Sequence, residues 1–254
     1  MSYYEDLKSR NYIRLVEPLL KAGVLSMRGS DGKFVANLSV EYGGPWVHTK
    51  PSYETNCFWW KDVTFHTIVE KCLPAENRFV PIGCQDCFKV VVRPKTLRKL
   101  FDLEKLQGEL NLPSKCGIEI RPSVNGNYGG YFYNRGLPAG LECWKVVRKA
   151  VDDRLGSDVA VILKRACTEM EHAMGRSDEW TVTPKQISFE MEFAQRCVND
   201  LPVIIQSDHA KDEVRQKWIE HAYSVGDQTY AEFTDGPLYP DYVTYQHLLE
   251  EQEG

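Results

Sequence analysis

The chain has 254 residues, 43% of them hydrophobic and 26% charged, with a formal net charge of −5. Those proportions suit an ordinary packed core and exclude bulk disorder, while the negative balance excludes a chain-wide electrostatic grip on nucleic acid but leaves room for a local basic patch. No run reaches the roughly 18 apolar residues of a membrane helix, and the segment Met1 to Arg10 mixes charges of both signs without the apolar stretch of a secretory signal, so a cytoplasmic protein with no membrane partner is expected.

In chain order, Tyr4 to Ala22 reads as a helix, with Tyr12, Leu15, Leu19 and Leu20 near helical spacing. Val24 to Met27 and Phe34 to Val40 flank Ser30-Asp31-Gly32-Lys33, which reads as a β-hairpin turning at the Asp-Gly pair. A helix followed by a hairpin is also the layout of a winged DNA-binding module, but no basic recognition helix accompanies it. Residues 1–55 are therefore expected to cap the rest. Residues 41–64 are irregular and aromatic, with Trp46, Phe58, Trp59 and Trp60.

Residues 56–234 read as an α/β core. Lys89 to Arg93 (KVVVR) is a strand, Thr96 to Leu110 a helix, and Gly117 to Arg121 (GIEIR) a second strand. A glycine-rich loop and a helix from Ala139 to Leu155 follow, then a strand over Val159 to Leu163 and a helix over Thr168 to Met174. Thr183-Pro184 is a helix start, with a capping hydroxyl ahead of a proline. Pro202 to Gln206 is read as a fourth strand, ahead of a helix over Lys211 to Tyr223, and residues 235–254 as a tail ending in a polar helix. Strands alternating with helices predict an α/β fold of βαβ units with a parallel sheet.

Ligands of parallel α/β folds bind outside the carboxyl ends of the strands. Those ends carry Arg93, Arg121 and the pair Lys164-Arg165, predicting one basic rim for an anionic ligand such as a carboxylate or a phosphate, with nucleic acid or a nucleotide as one such partner. On that rim stands the loop Asn125 to Tyr131 with its pair Gly129-Gly130, which matches neither a dinucleotide fingerprint nor a Walker loop.

Eight cysteines occur, at 57, 72, 84, 87, 116, 143, 167 and 197. Cys116, Cys143, Cys167 and Cys197 stand singly inside strand or helix patterns and are expected in the core. Cys72, Cys84 and Cys87 form a group whose Cys-x-x-Cys pair can reach one metal ion, with His66 or Cys57 as a fourth ligand. A zinc site, an iron–sulfur cluster, a redox dithiol and three unligated thiols all remain open on spacing alone.

Three cysteines ahead of a run of βα units, with a glycine pair and basic strand ends downstream, resemble the radical S-adenosylmethionine superfamily over roughly residues 72–208. The resemblance implies a partial (β/α) barrel-like parallel sheet and a [4Fe–4S] cluster on Cys72, Cys84 and Cys87. It places Gly129 and Gly130 near the amino acid end of S-adenosylmethionine, and implies an electron donor and a rearrangement or group modification begun by hydrogen abstraction, with a modified base in DNA as one substrate. The first gap of eleven residues departs from the family spacing, and Tyr131 stands where the family's glycine motif has Glu. Two other readings stand beside it: a zinc-stabilised nucleic-acid-binding protein and a metal-free α/β enzyme acting on a phosphorylated small molecule. Glu169-x-x-His172 lacks the partners of a di-iron site, Asp208 is read as a helix cap rather than an acid–base group, and no Gly-x-Ser-x-Gly elbow occurs.

Overall fold

The structure, a computed structural model, describes residues 12–23, 25–36, 44–49, 79–198, 205–239 and 243–245. Helix α1 (Tyr12–Lys21) leads into the expected hairpin of β1 (Leu25–Met27) and β2 (Phe34–Ala36), paired Leu25 to Ala36 and Met27 to Phe34. Gly32 takes a φ of 66° at the turn, a conformation that glycine adopts without a Cβ penalty. Phe34 continues the pairing through the 196–198 segment, donating its N–H to Arg196 O and accepting from Val198 N–H.

Among the described residues the main sheet has five strands: β3 (Trp46–His48), β4 (Cys87–Arg93), β5 (Ser114–Ile118), β6 (Tyr128–Arg135) and β7 (Ala160–Arg165). Their order is β3-β5-β6-β4-β7, every neighbouring pair is antiparallel, and the sheet is open. This corrects the parallel, barrel-like arrangement expected from the sequence. The segment read as a glycine loop and its continuation is strand β6, so β5 and β6 form a hairpin where a βα crossover was expected. With helices α3 (Leu97–Leu110) and α4 (Leu137–Arg154), the chain runs β4-α3-β5-β6-α4-β7, the split βαβ arrangement.

Three helices cover one face of the sheet. In α3, Leu97, Leu100, Leu103 and Leu106 recur every three residues and are buried, giving the apolar stripe of a core-facing helix. The Thr96 hydroxyl caps it by accepting from Lys99 N–H, and Asn111, at a φ of 50°, ends it in the left-handed conformation. Gly130 of β6 lets this helix approach, since a Cβ there would stand 2.4 Å from a Leu103 methyl. Helix α7 (Asp208–Ser224) is capped by the Ser207 hydroxyl, not by Asp208, and buries Trp218, whose indole N–H donates to Pro45 O at 2.8 Å. The Asp227 carboxylate accepts from Leu97 N–H at the start of α3 and from the Tyr128 hydroxyl on β6, so the turn after α7 fastens helix and sheet together.

Three short helices sit beyond β7 or before β4: α2 (Ile82–Gln85), α5 (Thr168–Met174) and α6 (Pro184–Ala194). Thr183 and Pro184 open α6 as their order predicts, the Thr183 hydroxyl accepting from Gln186 N–H. Of the expected fourth strand, residues 202–204 lie outside the described ones, and 205–206 carry no strand. The polar helix expected at the end of the tail falls on residues outside the described ones. No helix among the described residues is long and apolar enough to cross a membrane.

Candidate functional site: a cation-lined pocket on the second sheet face

Successive strand residues point to opposite faces. On β4, Val90 and Val92 therefore join the helix-covered core, while Cys87, Lys89, Val91 and Arg93 take the other face. Register carries that face across the sheet: Lys89 lies opposite Tyr133, Val91 opposite Tyr131, Tyr131 opposite Lys115, and Lys115 opposite His48. Beyond β5 the alternation continues through Glu119 and Arg121, held by a bond from Glu119 N–H to Asn127 O. Tyrosines and cations thus share one surface.

A cavity of about 300 Å³ opens there. Trp46 and Pro45 form one wall and Tyr131 and Tyr133 its floor, with Lys89, Lys115, Glu119 and Arg121 around them and Cys167 at one side. The Trp46 ring meets Tyr131 edge-on at 5.4 Å, and the Lys115 ammonium sits over the Trp46 ring at 4.7 Å.

Glu119 organises one end. Its side chain is fully buried and accepts from Arg121 Nε at 2.7 Å, from Arg121 Nη2 at 2.5 Å and from the Tyr131 hydroxyl at 2.7 Å. Arg93 Nη1 donates to the same hydroxyl at 3.1 Å, and Arg121 Nη1 reaches Glu169 at 2.8 Å. Burial pushes the Glu119 carboxyl up, but the hydrogen bonds from Arg121 and Tyr131 outweigh it and hold the group below the usual glutamate value. Burial and the bond to Glu119 raise Tyr131, which stays a phenol.

Lys89 and Cys167 organise the other end. After β7, Ala166 takes a φ of 52° and donates its N–H to Cys87 O. This left-handed backbone, uncommon for a residue with a side chain, turns the chain so that Cys167 Sγ comes back beneath the sheet, 2.9 Å from Lys89 Nζ. Burial alone would lower the Lys89 ammonium, but the facing thiols of Cys167 and Cys87 and the Tyr133 phenol raise it well above its ordinary value. Burial raises the Cys167 thiol, and Lys89 more than reverses that, leaving it below its ordinary value. By contrast, burial pushes Cys87 up to about 11. His48, beside Lys115 at the sheet edge, is lowered to about 3 by burial and by that cation, so it is neutral.

Of the basic strand ends, only Arg93 and Arg121 come together, because β4 and β5 run the same way on either side of β6. Strand β7 runs opposite to β4 and leaves Arg165 beside Phe88, at the far end from Arg93. Lys164 donates to Thr168 and Glu171. Arg165 clasps the carbonyls of Gln85 and Ser177, between the rings of Phe88 and Trp180. The single basic rim of a parallel sheet is therefore replaced by two separate pairs. Gly129 and Gly130 lie within β6, where a Cβ on Gly129 would stand 2.9 Å from Arg93 Nη1, so the pair makes room for α3 on one face and for Arg93 on the other.

Cys72, with His66 and Cys57, lies outside the described residues. Cys84 is buried with Val80, Ala166 and Met170, and Cys87 with Val91, Tyr131 and Tyr133. Among the described residues no three His, Cys, Asp or Glu side chains converge in a way that could hold a metal ion. Cys116, Cys143 and Cys197 are core residues as expected, whereas Cys167 forms part of a pocket wall. Lys89, Lys115, Glu119, Tyr131 and Tyr133 escaped the sequence reading. The signal for two of them, Lys115 and Glu119, is the alternation over 115–121, Lys-Cys-Gly-Ile-Glu-Ile-Arg. Comparison with protein-family models, with curated proteins and with solved structures finds no match to this chain.

Proposed function

We propose that the pocket binds one anionic ligand with a planar ring, of the nucleotide class. The observation that supports this is the alternation of aromatic and cationic side chains around a single cavity: Trp46, Tyr131 and Tyr133 with Lys89, Lys115 and Arg121. The half-buried Trp46 ring offers an edge of the cavity for a base, while guanidinium and ammonium groups take phosphate oxygens. A volume of about 300 Å³ is at the small end for a ligand site and suits a mononucleotide.

The burial of the pocket's tyrosines argues for a single unit rather than a strand. Sheet platforms that read single-stranded nucleic acid offer exposed aromatic rings, and Tyr131 and Tyr133 are each only 6% exposed. A net charge of −5 also disfavours a long polyanion. The radical reading implied a parallel βα barrel; the open antiparallel sheet does not supply that frame, and the pocket draws on neither Cys84 nor Cys87.

Isothermal titration of the full chain with AMP tests the proposal. Saturable one-to-one binding is the expected result, weakened about tenfold in Lys115→Ala, equivalent to about 1.4 kcal/mol. No heat with AMP at millimolar concentration, or tight binding of an oligonucleotide alone, overturns it.

A further inference from the structure

The pocket contains one pair that binding an anion does not require. Cys167 Sγ, on the wall of the cavity, accepts a hydrogen bond from Lys89 Nζ at 2.9 Å. Lys89 is itself buried and lines the same cavity. An ammonium carries three N–H donors. Among the described residues this one has a single hydrogen-bond partner, the sulfur, and stands over the Tyr133 ring at 5.3 Å. A buried cation with donors to spare, facing a cavity, is arranged to hold another acceptor. The other described cysteines are differently placed: Cys116, Cys143 and Cys197 are enclosed in the core, and none of Cys84, Cys87 or these three lines the cavity.

We infer that Cys167 is a catalytic nucleophile that takes an acyl group from the acyl phosphate of a nucleotide, with Lys89 holding first the sulfur and then the oxygen of the attacked carbonyl. The inference rests on the nucleotide reading of the pocket. A sulfur that accepts from an ammonium has the electron density of a nucleophile. Sulfur, being soft, attacks carbonyl carbon in preference to phosphorus, which selects the acyl group of such a mixed anhydride. The new bond joins Cys167 Sγ to the carbonyl carbon, and the bond that breaks joins that carbon to the bridging phosphate oxygen. The thiolate and the singly charged mixed anhydride give a neutral thioester and a doubly charged nucleotide. The leaving group therefore needs no proton, and the cations of the pocket receive its second charge. Water then attacks the thioester: its oxygen bonds to the carbonyl carbon, the carbon–sulfur bond breaks, and the products are a carboxylate, the thiolate and two protons released to solvent.

The test is to incubate the full chain with acetyl adenylate and follow AMP release together with peptide mass. Expected is one acetyl group on Cys167, removed by neutral hydroxylamine and absent in Cys167→Ser. Lys89→Met should acetylate about a hundredfold more slowly, the effect of losing one donor to a developing oxyanion. Iodoacetamide labelling of wild-type protein needs no variant and should mark Cys167 ahead of the other cysteines, with AMP slowing it. Equal AMP release by wild type and Cys167→Ser, or acetyl found only elsewhere, overturns the inference. If wild-type protein binds AMP in the titration yet neither gains an acetyl group nor releases AMP faster than Cys167→Ser, this inference alone falls. If it binds no AMP, the nucleotide reading falls and takes this one with it.

Discussion

The two faces of the five-stranded sheet are made by the same strands and differ in almost everything else. On one face Val90, Val92, Cys116 and Phe132 meet the leucines of α3 in a continuous apolar core. On the other, one residue along in each strand, Lys89, Lys115, Tyr131 and Tyr133 meet a cavity. The first face derives stability from burying apolar area. The second holds two buried or half-buried cations against one carboxylate, and an ammonium against a thiol, groups whose desolvation opposes folding. A fold retains such a face at some cost in stability, which is the usual mark of a site.

Neighbouring residues of one strand can break that comparison. Phe132→Ala, which empties a fully buried position on the helix side, should cost about 3–5 kcal/mol, read as a lowered urea midpoint. Glu119→Gln should cost about 1–3 kcal/mol, since it weakens the bonds from Arg121 and Tyr131 while leaving those donors in place. Because the Glu119 carboxyl is held below its ordinary value, its contribution is complete above an unfolded glutamate pKa of about 4.3. It is lost as pH falls through the lower folded value. Urea midpoints measured from pH 6 down to pH 3 should therefore fall less steeply in Glu119→Gln than in wild type.

Smaller effects sharpen the contrast between the two basic pairs. Arg165→Met removes donors to the Gln85 and Ser177 carbonyls and should cost about 1–2 kcal/mol; AMP affinity should be unchanged, because Arg165 is not part of the cavity. Lys115→Ala should do the reverse, with stability within about 0.5 kcal/mol of wild type and AMP affinity reduced about tenfold. A similar loss of affinity in both variants would mean that the second sheet face does not confine the site.

Most elements were legible in the sequence, and one omission accounts for the wrong sheet. The strand runs at 89–93 and 159–163, the helices at 96–110 and 139–155, and the hairpin turn at Asp31-Gly32 all carry their ordinary signals and appear within a few residues of where those signals lie. Strand β6 was hidden by Gly129 and Gly130, since glycine is depleted in strands and reads as a loop. With β6 missing, β5 appeared to lead directly into a helix, and a ββ hairpin became a βα unit of a parallel sheet. The interior strand β4 misled in the same direction. Val90, Val91 and Val92 are all buried because both faces are covered, which gives the continuous apolar run of a parallel strand. The alternation from Lys115 to Arg121 was the available correction, a pattern of an antiparallel strand with one apolar face. The pocket's membership was less legible: Lys89 and Cys167 are 78 positions apart, and nothing local marks a cysteine that a left-handed alanine turns back under the sheet.

Strand β4 lies inside the sheet between β6 and β7, yet both of these partners follow it in the chain. Its pairing closes long loops, so in a growing polypeptide this strand has no neighbour until the residues of β6 have emerged, and topologies of this kind fold slowly. Lys89 is carried on that strand, and Cys167 comes two residues after the last of its partners. The cavity is thus among the last features to exist during synthesis, and a change at Lys89 disturbs a strand paired on both edges. Occupancy should accordingly stabilise the whole βαββαβ unit by mass action, raising its unfolding temperature as one transition rather than quieting a single loop.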